Sequence, residues 1–257
     1  DELVRLANNS NETVRKLAAD LLLSRDPRKD IGLDAWGRLL ETDHGHALAA
    51  DVLKKHFGPK ELTPAWFSER LFTHSKKAFD FAKAHLPQVH PTDKLGSGFF
   101  EALIDRCDDP TNAGAKNVAP FALTELSRFD VNTLTPDFLK RALLHPLTQN
   151  SVVRWANEGK LKLQTVGVEY LKLLAYYPSW DADAWLTELR TGSRKWGREL
   201  KYSESFGDTI FAWLADVRRF TPTEIGMTWL LTLVQRSEAR YHDFAVERLI
   251  KSFAPAD

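Results

Sequence analysis

The sequence predicts an all-α fold, a HEAT-like α-solenoid of stacked antiparallel helix pairs with about six to seven repeats. Three observations lead to this prediction. A short apolar pattern recurs at the spacing of helix-pair repeats, and a Thr-Pro start signal recurs between its copies. Alternating runs of Val, Ile and Thr bounded by hairpin turns, which would indicate strands, are almost absent.

The apolar pattern is a large apolar residue, then Ala, three further residues and Leu. Its copies are centred on Ala18, Ala49, Ala82, Ala122 and Ala245, with a degenerate copy at Ala156. The first four and the degenerate copy are separated by 31, 33, 40 and 34 residues. Because Ala and Leu four residues apart share one helix face, and Ala lets a neighbouring helix approach closely, each copy predicts the second, inner helix of a pair.

The first helix of several pairs has its own start signal. Thr-Pro occurs at residues 63–64, 135–136 and 221–222, each time followed by apolar residues at helical spacing. Thr at the N-cap accepts a hydrogen bond from a free backbone N–H, and Pro at the first helical position has the φ that a helix needs. Two further first helices are predicted at 33–40 and 99–104.

Polar, Gly and Pro residues predict the turns that join the helices of a pair. These turns lie at residues 8–10, 43–45, 73–75, 108–110 and 145–146.

No Gly/Ser/Pro-rich linker divides the 257 residues, so a single domain over 1–257 is predicted. It comprises regular repeats at 3–161, an irregular insert at about 177–205 and a closing helix pair at 221–253. Apolar periodicity has already begun at Leu3, and no polar cap precedes it. We therefore expect a fragment of a longer chain.

Charge and cysteine content limit the classes of partner and compartment. Lys plus Arg equals Asp plus Glu at 35 each, so no global field attracts nucleic acid or an anionic membrane. No apolar run approaches the ~20 residues of a membrane helix. The single cysteine, Cys107, has Asp105, Asp108 and Asp109 as neighbours, which predicts a raised thiol pKa and a poor nucleophile. We expect a cytoplasmic protein without disulfides or a membrane partner.

Motifs for catalysis or metal binding are not found. The Gly-Ser-Gly at 96–98 lacks the spacing of a nucleophile elbow, and no Gly-rich phosphate loop occurs. His44 and His46, like His85 and His90, do not supply three or four ligands at a metal-binding spacing. The prediction is therefore no catalytic residue, no cofactor and no metal, which favours a protein that is not an enzyme.

Seven of the eight tryptophans fall into two groups. Four occupy helix positions equivalent to Phe or Leu in other copies and are predicted core residues: Trp36, Trp66, Trp155 and Trp229. Others lie in the irregular insert among carboxylates and basic residues. The candidate binding surface there comprises Trp180, Asp181, Asp183, Trp185, Arg190, Arg194, Lys195, Trp196, Arg198 and Lys201. Such residues can contact phosphates and stack on bases, although a solvated connection has the same composition.

Helix pairs of this length, with an Ala-centred second helix and Pro near the start of the first, resemble HEAT and armadillo-type repeats over residues 3–161 and 221–253. The resemblance implies a non-catalytic scaffold or adaptor that binds a protein partner on a curved repeat surface.

The alternative is a nucleic-acid-binding repeat protein. In its residue types, the candidate surface is similar to HEAT-like DNA glycosylases of the alkylpurine type, which hold a damaged base against aromatics with an acidic residue. The neutral net charge counts against this alternative.

Overall fold

The chain is described by a computed structural model. The described residues are 2–109, 111–175, 201–236 and 238–253, and all their regular structure is helical. Strands do not occur in these ranges, as the sequence predicts. No helix among them combines the length and apolar character that crossing a membrane requires.

The helices are short and follow one another closely. In the first half they are α1 (Glu2–Ala7), α2 (Glu12–Leu23), α3 (Leu33–Leu40), α4 (His46–His56), α5 (Pro64–Leu71), α6 (Lys76–Val89), α7 (Thr92–Leu95), α8 (Ser97–Arg106) and α9 (Ala115–Leu126). In the second half they are α10 (Pro136–Leu144), α11 (Gln149–Asn157), α12 (Val168–Ala175), α13 (Glu204–Ala215), α14 (Pro222–Ile225), α15 (Met227–Val234) and α16 (Ala239–Phe253).

Neighbouring helices pack as pairs, which confirms the predicted pairing. The pairs are α1 with α2, α3 with α4, α5 with α6, α8 with α9, α10 with α11, α12 with α13, and α15 with α16. The predicted turns lie between the helices of these pairs. The single domain over 1–257 stays a prediction, and the chain forms two compact units, Asp1–Phe129 and Asp130–Asp257.

Successive pairs of the first unit contact each other through like helices. The first helices α1 and α3 pack together, as do the second helices α4 and α6. Arginines near the ends of the first helices link a pair to the one before it. Arg70 of α5 pairs with Glu41, directly after α3, and Arg106 of α8 donates to Ser68 Oγ of α5 at 2.6 Å.

The alanines at the centre of the recurring pattern are buried, as predicted. Their exposed fraction is 1% for Ala18 and 0% for Ala49, Ala82, Ala122, Ala156 and Ala245. The large residue before Ala behaves differently in different copies. Phe81 and Phe121 are buried, whereas Leu17 is 63% exposed, because no helix in the described ranges covers that flank of α2.

The Thr-Pro signals are confirmed as helix starts. The hydroxyl oxygens of Thr63 and Thr135 accept from the backbone N–H groups of Trp66 and Phe138. Thr221 forms a complete capping box with Glu224. The helix that Thr221 starts, however, is only α14, since the helix is interrupted at Gly226 before α15 begins.

A second helix-start device, not predicted, recurs along the chain. A short helical turn ends on a glycine with positive φ, and a first helix follows at once. The glycines are Gly32 (φ 81°), Gly96 (φ 73°), Gly167 (φ 98°) and Gly226 (φ 78°), which precede α3, α8, α12 and α15. Each glycine N–H bonds a carbonyl of its short turn. This conformation favours glycine because it has no Cβ.

The close contact between neighbouring pairs can be tested by a substitution at Gly114. A Cβ at Gly114 would lie 2.8 Å from the Leu71 carbonyl oxygen and from Phe72 Cα, both backbone atoms. Gly114→Ala is therefore expected to lower the free energy of unfolding by about 1–3 kcal/mol. Urea unfolding followed by circular dichroism measures it.

Gly98→Ala is the matched control. Gly98 lies in α8 with no heavy atom within 4 Å of its built Cβ, so the alanine should be neutral or stabilise by up to about 1 kcal/mol. Equal effects of the two substitutions would contradict the contact.

Candidate functional site

Most of the candidate surface predicted from the insert lies outside the described residues. This holds for Trp180, Asp181, Asp183, Trp185, Arg190, Arg194, Lys195, Trp196 and Arg198. Lys201 is described. It precedes α13 in the sequence, and it contacts the end of α10 and the start of α11. Its backbone N–H donates to the Leu144 carbonyl at 2.7 Å, and its ammonium donates to Asn150 Oδ1 at 3.0 Å.

Two of the histidines bond to backbone carbonyls. His46 Nδ1 donates to Leu40 O at 2.8 Å, and His90 Nε2 donates to Leu62 O at 2.7 Å. Within the described residues, no group of three or more His, Cys, Asp and Glu side chains is placed to hold a metal ion.

Cys107 is a buried residue that follows the last turn of α8. The pKa of its thiol is raised to about 12. Burial is the largest cause of this rise, and the charge of Asp108 adds to it. Its Sγ donates to the Leu103 carbonyl at 3.3 Å. A thiol of such high pKa is protonated at neutral pH and is a weak nucleophile.

His85 is buried in an aromatic cluster of the first unit. It is 7% exposed, and its ring lies against Phe67 and Phe81. Nδ1 contacts Gln88 Oε1 at 3.1 Å, whereas Nε2 is buried and has no hydrogen-bond partner among the described residues. Burial is the largest cause and lowers the pKa of His85; the hydrogen bond to Gln88 opposes this shift, and the nearby Lys54 ammonium adds to it. The neutral imidazole is therefore the favoured form in the folded protein.

Two grooves of the first unit are lined by charges of both signs. One, of about 590 Å³, lies between α1 and α3 and is lined by Arg25, Arg38, Glu2, Asp30 and Asp34 among others.

The other groove, of about 570 Å³, lies on the turns before α4 and α6. In it Lys76 pairs with Asp80, and Lys77 with Asp43. Neither groove of the first unit offers a strong preference for one sign of ligand.

A third groove, of about 510 Å³, lies in the second unit between α12 and α15, the first helices of two pairs. Its lining residues are Glu169, Tyr170, Lys172, Leu173, Trp229, Thr232, Leu233 and Arg236. Gly167 and Gly226 lie directly before the two helices. These two glycines with positive φ therefore position both walls of this α12–α15 groove.

Lys172 is the unusual residue of the α12–α15 groove. It is only 7% exposed, and its ammonium lies 5.5 Å from the centroid of the Trp229 ring, a cation–π distance. Its carboxylate partner is Glu169, at 2.6 Å, whose side chain is 81% exposed. A buried cation is thus neutralised by a solvated anion.

A similar contact joins α12 to α10. The Lys140 ammonium lies 5.7 Å from the Tyr170 ring, and the Tyr170 hydroxyl donates to the Lys140 carbonyl at 3.1 Å. Burial raises the pKa of Tyr170 well above its ordinary value. Tyr170 is therefore a neutral hydrogen-bond donor that fixes one wall of the groove.

Sequence reasoning missed this groove. Trp36, Trp66 and Trp155 are core residues as predicted, but Trp229 is only partly buried and lines the groove. The Glu169–Lys172 spacing is a sequence signal, but it is typical of solvated helix pairs and does not indicate burial.

Comparisons of the chain with models of known protein families, with curated proteins and with solved structures give no match.

The buried His85 predicts a pH-dependent stability. Since its folded pKa is lowered, its contribution is fully present above about pH 6.5 and is lost as the pH falls through the folded pKa. The slope from one such group is at most about 1.4 kcal/mol per pH unit. Urea unfolding at several pH values between neutral and mildly acidic measures it.

His85→Gln removes the titrating ring and should flatten this pH dependence. His242→Gln, at an exposed position of α16, is the control and should leave it as in the parent protein. An identical acid-induced loss in the His85→Gln variant would refute this assignment.

Proposed function

We propose that this protein is a non-catalytic interaction scaffold, an α-solenoid of HEAT or armadillo type with about six to seven helix-pair repeats, that binds a protein partner on its repeat surface. The main support for this proposal is the α12–α15 groove, whose two walls belong to first helices of different pairs. Stacked pairs form such grooves between like helices, and a groove of this kind accommodates side chains of a partner.

The chemistry of the groove supports a binding role. Aromatic and apolar side chains surround a small number of charged groups, the composition of sites that recognise a partner. Trp and Arg, the residue types that dominate binding energy at interfaces, are both present as Trp229 and Arg236.

The proposal predicts that a protein can be crosslinked from the groove. A photoreactive benzoylphenylalanine at Thr232, an exposed residue of the α12–α15 groove, should yield in the source cells a product that is destroyed by protease and resists nuclease. The same group at Lys60, an exposed residue in the loop before α5, is the control and should not yield that product.

Two results would count against the scaffold. A nuclease-sensitive product would favour the nucleic-acid alternative. Crosslinking that is absent from Thr232, or equal at both positions, would remove the groove as a partner site.

A further inference from the structure

We propose that the α12–α15 groove binds an acidic segment of the protein partner, with a carboxylate of that segment on the Lys172 ammonium and an apolar side chain against Trp229. This inference rests on the proposed scaffold function and specifies the chemistry of the partner. It depends on the ion pair, the charge balance and the apolar walls of the groove.

The Glu169–Lys172 ion pair can exchange its anion. Lys172 is buried and needs a counter-ion, because an unpaired buried charge is strongly unfavourable. Glu169 supplies it from a side chain that is 81% exposed, so it rotates into solvent with little change in its own hydration. A carboxylate that arrives on a partner replaces it without leaving Lys172 unpaired.

The charge balance of the groove favours an acidic partner. Two cations, Lys172 and Arg236, line it against one carboxylate, Glu169. Displacing Glu169 raises the positive potential that the partner meets. The two grooves of the first unit have the opposite balance, since each is lined by three carboxylates against two Lys or Arg side chains. Charge complementarity therefore selects the second unit for an anionic segment.

The apolar walls select a carboxylate that stands beside an apolar residue. Leu173 and Leu233 line the same groove, and the Trp229 ring lies 5.5 Å from the Lys172 ammonium. A volume of about 510 Å³ falls within the range of sites that enclose small ligands or a few side chains. When an apolar side chain excludes water, the adjacent charge-assisted hydrogen bond becomes stronger.

The probe is a fluorescein-labelled hexapeptide in which paired glutamates flank a central Leu-Phe. Its counterpart carries glutamine in place of every glutamate. Fluorescence anisotropy with the full chain should show binding of the glutamate peptide and at least about tenfold weaker binding of the glutamine peptide, because only a carboxylate pairs with Lys172.

Three substitutions identify the groove. Lys172→Met, which keeps the aliphatic stem, should weaken binding of the glutamate peptide by about tenfold or more. Lys172→Arg should restore most of the affinity. Glu169→Gln removes the competing anion and should tighten binding about threefold.

Lys83→Met, at an exposed lysine of α6, is the matched control and should leave the affinity for the glutamate peptide unchanged. Circular dichroism establishes that each variant is folded.

The outcomes separate this inference from the scaffold proposal. Equal binding of the two peptides, or weaker binding after Glu169→Gln in a folded protein, overturns the acidic-segment inference. If neither peptide binds while Thr232 still crosslinks a protein, the scaffold stands and the acidic specificity is wrong. A labelled oligothymidylate that binds more tightly than the glutamate peptide, and loses affinity in Lys172→Met, would assign the groove to a polyphosphate chain instead.

Discussion

Close approach of helices at buried alanines is the interaction on which the described structure depends. Ala49, Ala82 and Ala122 are completely buried in the second helices of their pairs. A larger side chain there would push the paired helices apart and separate the leucines that fill the groove between them. The same requirement for close approach recurs at Gly114, where the turn between α8 and α9 meets the backbone at the end of α5.

The pairing of helices could be predicted because its determinants are local. Each of these determinants extends over only a few residues: the Ala-centred pattern, the Thr-Pro caps and the polar turns. All of them agree with the helices that form. The glycine device was missed because each copy is a single apolar-Gly step at 31–32, 95–96, 166–167 and 225–226. Only the shared positive φ and the helix that follows make these steps one feature.

The α12–α15 groove could not be predicted because it depends on tertiary contacts. Glu169 and Lys172 form the spacing of a surface ion pair, and α15 converts it into a pair with one buried and one exposed member. Trp229 occupies a position that is core in other pairs, yet here its ring faces the Lys172 ammonium. Of the predicted surface at 180–201 only Lys201 is described, so that prediction stays a prediction.

Hydrogen exchange of an Ala122→Leu variant tests most directly whether the pairs stack as a solenoid. Overpacking in α9 should speed amide exchange in α8 and α9 and, to a smaller degree, in the contacting end of α5, while α1 and α2 keep the protection of the parent protein. This gradient is expected when each pair depends on its immediate neighbours. An equal loss of protection in α1, α2, α8 and α9 would indicate one shared globular core and contradict the stacked-pair account.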